Sequence, residues 1–151
     1  VGAFGGRADL MSLLDPTNSG PVFQSGTFSG HPVVMAAGLA MLRSLTENRL
    51  AHVNRLTDKL TDGLTHIFTR RDTQAQAINT GSVFSIYFMS RIPRTARDVT
   101  EHSTEREHDI FIHLLNSGFF LGNGTRMCSV SSPMEDNDID ELLQAVDQIL
   151  V

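Results

Sequence analysis

The sequence predicts an α/β protein: a small α+β layer domain whose mixed or antiparallel sheet is covered by helices, preceded by a segment of different character. Three observations predict it. From residue 47 onward the patterning runs helix, strand, helix, strand, strand, helix, which is the order of a layered domain. Apolar residues make up 40% and charged residues 19% of the 151, enough for a core. Residues 1–46 stand apart from that order and read as the tail of a larger domain, joined through a long helix.

The elements follow in order. Val1–Arg7 is short, apolar and glycine-rich, and reads as a buried strand or its exit. Ala8–Leu14 has the spacing of a short helix. Asp15–Pro21 is turn chemistry, so a loop runs on to Gly30. Pro32 suits a first helical turn, where a missing N–H costs nothing, and a helix Val33–Leu45 follows. Its Ala36, Ala37, Gly38 and Ala40 allow close packing against other helices or a partner subunit. A second helix covers Glu47–Phe68, with Leu50, Val53, Leu56, Leu60, Leu64, Ile67 and Phe68 at three- and four-residue steps. Gly81–Met89 alternates as a strand with Phe84, Ile86 and Phe88 on one face. Arg91–His102 reads as a mobile polar loop. Thr104 and Glu107 have capping-box spacing, opening a helix Glu105–Asn116 that Gly118 stops. Phe119–Leu121 and Met127–Ser131 read as two short strands around a turn at Gly122–Thr125. Pro133 and an Asp/Asn cluster start a last helix with Ile139, Leu142, Leu143, Val146 and Ile149 on one face. The implied division is residues 1–46, the tail of a larger domain, and residues 47–151, a small α/β domain.

Charge and composition exclude several functions. A net charge of −5 with no Lys/Arg run argues against a nucleic-acid surface. No apolar stretch reaches the roughly 20 residues of a membrane span. The single Cys128 rules out an internal disulfide framework and fits a reducing, cytoplasmic setting. Flanked by apolar residues, it reads as a buried, inert thiol. No signal-peptide pattern is visible, and the chain opens mid-pattern without Met, as a segment of a longer protein would.

The stretch carrying chemistry is Val22–Gly38, V-F-Q-S-G-T-F-S-G-H-P-V-V-M-A-A-G. It sets a glycine- and hydroxyl-rich turn against the start of a helix, whose unpaired N–H groups form a positive end. Glycine lets a bound group approach the main chain. This is a candidate phosphate seat. It is not a Walker loop, since no Lys follows the second glycine, and Gly2–Gly6 lacks dinucleotide-fingerprint spacing. His31 beside the loop could touch a ligand, set against the commoner capping or packing role. His102, His108 and His113, six and five apart, do not share a helix face, and no metal is assigned. No G-x-S-x-G elbow occurs. Arg126, in a strand-linked turn, is a candidate for bidentate carboxylate binding, set against an ordinary solvated arginine. Asn123-Gly124-Thr125 has the spacing of a glycosylation acceptor and is discounted without secretion signals.

Two segments in this order, V-G-A-F-G-G-R-A-D-L-M at Val1–Met11 and Q-S-G-T-F-S-G-H-P-V-V-M-A-A-G at Gln24–Gly38, closely resemble the class III pyridoxal-phosphate-dependent aminotransferases. The nearest subgroup is glutamate-1-semialdehyde 2,1-aminomutase and related β-amino-acid aminotransferases. Phe119–Leu142 resembles that family's final strand pair and helix. The resemblance implies the C-terminal part of a type I fold, with pyridoxal phosphate as cofactor and amino and keto acids as substrates. It further implies a homodimer with shared active sites, in which Gly26 and Thr27 bind the cofactor phosphate of the neighbouring subunit. Arg126 remains the candidate for the substrate carboxylate on the reading of its own residues, not on the resemblance. The family's cofactor-linking lysine would lie about eight residues before Val1. The only lysine present, Lys59, lies on the polar face of a helix, so the chain alone is expected to be inactive. His31 departs from the family, which commonly has Asn there. The alternative is a non-catalytic α/β dimerisation or interaction module.

Overall fold

The computed structural model describes residues 2–18, 20, 22–122 and 124–150. It comprises two units, Val1–Thr46 and Glu47–Val151.

In the first unit, α1 (Ala8–Met11) runs into a 3-10 turn (Ser12–Leu14), a second 3-10 turn spans Pro16–Asn18, and α2 covers Pro32–Ser44. Pro32 occupies the start of α2, as a proline without an N–H to satisfy can. Gly2–Arg7 is irregular rather than a strand, and Val1 lies outside the described residues. A strand needs a neighbouring ladder, and the described residues of this unit provide none.

The second unit is built around α3 (Glu47–Arg70), whose Leu56, Leu60 and Leu64 recur every fourth residue and are essentially inaccessible. The same face buries Thr57 and Thr61, each hydroxyl donating to the carbonyl four residues back, Val53 and Thr57 respectively. That satisfies two polar groups inside the core without a distant partner. The sheet has the order β1-β2-β3 and is antiparallel throughout. Strand β1 (Gln76–Thr80) pairs with β2 (Val83–Tyr87) from Gln76↔Tyr87 to Thr80↔Val83, and Gly81 with φ +57° makes the tight turn. Strand β3 (Cys128–Ser129) pairs with β2 at Phe84↔Cys128. As the central strand, β2 is buried on both faces: Phe84 and Ile86 enter the core, and Ser85 faces the other way. Helices α4 (Thr104–Asn116) and α5 (Asp136–Ile149) complete the layer with Ile110, Leu114, Ile139, Leu142 and Val146. Burying a side chain of this size contributes about 1.5–3 kcal/mol.

Several sequence expectations are corrected. Strand β1 is missed by the sequence, because Gln76-Ala77-Ile78-Asn79-Thr80 is an edge with only half-buried apolar residues. Phe119–Leu121 is not a strand, and pairing in 127–131 is confined to Cys128–Ser129. Met127 is the cause, with a left-handed φ of +57° that breaks the ladder. The α4 cap is Ser103, accepting from Arg106 N–H, rather than Thr104 with Glu107. Glu107 turns inward instead. The reciprocal capping box belongs to α5, between Glu135 and Asp138. The segment 91–102 contains a 3-10 turn (Asp98–Glu101), and Asp98 accepts from the N–H groups of Arg94 and Thr95.

Candidate functional site

Gly26 and Thr27 lie in the first unit and Arg126 in the second, so each has its own setting. In the first unit a turn closes with Ser29 N–H donating to Gly26 C=O at 2.9 Å. His31 N–H then donates to Phe28 C=O at 3.1 Å, and Gly30 takes φ +69° to swing the chain into α2. Both bonds use carbonyls of the loop as acceptors. Among the described residues, the N–H groups of Gly26 and Thr27 and the Thr27 hydroxyl have no protein partner. A Cβ on Gly26 would stand 2.9 Å from Ser29 Oγ, so the turn is closed around a residue without a side chain. The segment is exposed and borders a groove of about 620 Å³ that includes Gly2, Phe4, Gln24, Gly26 and Ser29. No Asp or Glu occurs between Asp15 and Glu47. Unspent N–H donors, a hydroxyl and the absence of carboxylates make a setting in which an anion is not repelled. His31 is the N-cap of α2 without a side-chain cap bond, and its ring meets Phe28 edge-on at 5.7 Å.

In the second unit the structure centres on a residue the sequence assigns to a cap. Glu107 is buried at 6% exposure. Its Oε2 accepts from His102 Nε2 at 2.8 Å, and its Oε1 accepts from Thr125 N–H at 3.0 Å. Arg126 adds Nε to Oε1 and Nη2 to Oε2, both at 3.1 Å. His102 Nδ1 accepts from Phe88 N–H at 3.0 Å, so Nε2 carries the proton donated to Glu107. Burial works to raise the Glu107 carboxyl, but the bonds from His102, Thr125 and Arg126 outweigh it and hold the group below the usual carboxylate range. Arg126 is therefore ion-paired along one edge rather than simply solvated. It borders a groove of about 550 Å³ with Thr104, His108, Phe111 and Phe120.

The other candidates resolve quickly. Cys128 is buried and its thiol is pushed up to about 11, first by burial and then by the Glu107 charge, so it is a poor nucleophile at neutral pH. Lys59 is engaged with Asp136 and Asp140 on the surface between α3 and α5. Among the described residues no group of three His, Cys, Asp or Glu side chains is placed to hold a metal ion. Asn123 of the N-x-T triplet lies outside the described residues. Nothing in the sequence singled out the His102–Glu107 pair, because one residue sat in a polar loop and the other at a helix start.

The fold is a layered α/β segment, and comparison with known proteins specifies its family. The chain belongs to the class-III aminotransferases, whose family model matches residues 1–150. It is 36% identical to glutamate-1-semialdehyde 2,1-aminomutase of Alkaliphilus oremlandii over 99% of this chain and 34% of that protein. The omega-transaminase of Sphaerobacter thermophilus has the same fold, with a TM-score of 0.82 and 28% identity over 97% of this chain and 34% of that one. A beta-phenylalanine aminotransferase from Variovorax paradoxus gives a TM-score of 0.79 with 30% identity over 95% of this chain and 33% of its own. The chain thus spans about a third of the length of its curated relatives. No described helix is long and apolar enough to cross a membrane.

Proposed function

We propose that this chain forms the C-terminal part of a pyridoxal-phosphate-dependent aminotransferase or aminomutase of the glutamate-1-semialdehyde 2,1-aminomutase kind. Residues 1–46 are the tail of its large domain and residues 47–151 its small domain. Gly26 and Thr27 donate main-chain N–H groups and a hydroxyl to the phosphate of the cofactor held by the neighbouring subunit of a homodimer. Arg126 takes the carboxylate of the amino or keto acid. A cytoplasmic setting belongs to the same reading, resting on Cys128 as the sole, unpaired cysteine. The observation that carries the proposal is the turn at Gly26–Ser29, where among the described residues the Gly26 and Thr27 N–H donors have no protein acceptor, in a carboxylate-free segment.

Pyridoxal phosphate, when bound, supplies the electron sink for moving an amino group. This chain's own share is positional. The turn fixes the anionic end of the cofactor with donors that need no reorganisation, and Gly26 keeps the approach open. The lysine that would link the cofactor is sought outside this chain, since Lys59 is spent on surface ion pairs. The test is Thr27→Ala in the full-length protein, titrated with pyridoxal phosphate and with phosphate-free pyridoxal. Affinity for the phosphorylated form is expected to fall about tenfold, the worth of one charge-assisted hydrogen bond, with pyridoxal unaffected. Equal loss for both, or none for either, overturns the phosphate role.

A further inference from the structure

Arg126 owes its direction to an irregularity in the sheet. Ile86 N–H donates to Thr125 C=O at 2.8 Å, while Phe84 pairs with Cys128. Three residues of β2, Phe84–Ile86, are therefore opposed by four, Thr125–Cys128. The extra residue is accommodated by Met127 at φ +57°, whose N–H is taken by Ser85 Oγ at 2.9 Å. Such a bulge re-aims the side chains beside it and persists only when its surroundings hold it.

Glu107 supplies that hold. It binds both the bulged segment's main chain, at Thr125 N–H, and the Arg126 guanidinium. Gly124 has φ +106°, and a Cβ there would lie 2.6 Å from Glu107 Oε1, so the chain passes the carboxylate at a distance only glycine permits. Thr125 is fully buried and its hydroxyl also reaches Ile86 C=O at 3.0 Å. His102 fixes the far oxygen of the carboxylate. The Nε–Nη2 edge of Arg126 is thereby occupied. Among the described residues Nη1 has no protein acceptor, and the side chain keeps 39% of its exposure where it borders the groove.

We infer that Glu107, seated by His102, is a positioning residue that holds the Nε–Nη2 edge of Arg126 so that its Nη1 side faces the groove ready for a substrate carboxylate. The inference rests on the carboxylate reading of Arg126 given above. A free arginine spends rotamer freedom on each bidentate bond it forms; one already clamped along one edge has little left to lose. The arrangement has an opposing consequence, because the Glu107 charge repels the very anion that Arg126 would bind. Position and charge therefore predict opposite signs when Glu107 changes.

The experiment titrates pentanoate, a carboxylate that cannot react with an aldehyde, into the full-length, cofactor-loaded protein by calorimetry. Glu107→Asp keeps the charge and withdraws the carboxylate by one methylene; Glu107→Gln keeps the length and removes the charge. Both are expected to weaken pentanoate about tenfold, and Arg126→Ala to remove measurable binding. Leu114→Ala, in the core side of the same helix, lowers the melting temperature and leaves the pentanoate Kd unchanged, which separates positioning from general loosening. Wild-type affinity in Glu107→Asp, or tighter binding in Glu107→Gln, overturns the positioning role while the carboxylate site stands. Unchanged affinity in Arg126→Ala overturns the carboxylate reading and this inference with it. Where Glu107→Gln fails to fold, Glu107→Asp decides alone.

Discussion

Helices α2 and α3 are both rich in apolar residues, yet they end in opposite circumstances. Helix α3 hides eight residues, and its charged side chains collect on the other face. Helix α2 hides only Gly38, while Val33 is 70% and Leu42 68% exposed. The difference lies in the pattern. Helix α3 segregates its apolar positions into one stripe that a small sheet and α5 can cover. Helix α2 is apolar nearly all round, a composition that only further surfaces can bury. Among the described residues the first unit therefore contributes no core cluster, and the second carries one.

Separating the two units tests the contrast most directly. Residues 47–151 alone are expected to unfold in one cooperative urea transition worth on the order of 5 kcal/mol or more. Residues 1–46 alone are expected to show no transition, because a short chain with no core cannot offset its ordering entropy. Circular dichroism against urea reads both. A gradual, non-cooperative loss of signal from the longer piece would refute the claim of an autonomous core.

The next effect is smaller and residue-specific. Leu60→Ala, at a wholly inaccessible site on α3, is expected to cost about 2–5 kcal/mol through lost burial and a residual cavity. Leu42→Ala, exposed on α2, is expected to stay within about 0.5 kcal/mol in this chain. Denaturant midpoints of the two variants measure the difference, and similar costs would show that α2 is already buried in solution.

How legible this was in the sequence follows the same division. The strong period of Glu47–Phe68 and the alternation around Phe84 announce themselves, because long, one-faced patterns have few competing explanations. Strand β1 does not, since an edge strand with polar Gln76, Asn79 and Thr80 owes its conformation to its neighbour rather than to its own residues. The loop at Gly26–Thr27 was visible because its chemistry is local, set by glycines, hydroxyls and a proline within a few residues. The cluster at Glu107 was invisible for the contrary reason. His102, Glu107 and Arg126 are brought together by the fold across a bulge, and nothing at position 107 alone distinguishes a buried hub from a first-turn glutamate that satisfies its own helix.

That hub carries the third prediction. Glu107 sits below the ordinary carboxylate range, so the folded state holds its proton more weakly than the unfolded chain. Its contribution is complete above the unfolded value of about 4.5 and is lost as the pH falls through the folded value. Glu107→Gln is therefore expected to cost about 2 kcal/mol near neutrality, from a buried network left partly unsatisfied. The gap should close in acid, where the wild type is protonated too. Urea midpoints at pH 7 and below pH 4 measure it, and a gap that persists undiminished into acid would deny the carboxylate this role.

The smallest effect is expected where the ion pairs are most conspicuous. Asp136 binds Arg55 at 2.8 Å and Lys59 at 3.1 Å, linking α5 to α3, and Arg55 first and Lys59 second pull its carboxyl far below the usual range. All the same, Asp136 and Arg55 are about half exposed, and solvent screens such pairs while their long side chains pay to be held. Asp136→Asn is therefore expected to shift the urea midpoint slightly at low salt and not at all in 1 M salt. Leu60, Leu64, Ile139 and Leu142 of these helices lie in the buried core, and their burial is expected to outweigh the charges above it. A large, salt-insensitive loss in Asp136→Asn would reverse that ranking. It would also mean that the second unit depends on its surface in a way its buried stripe does not suggest.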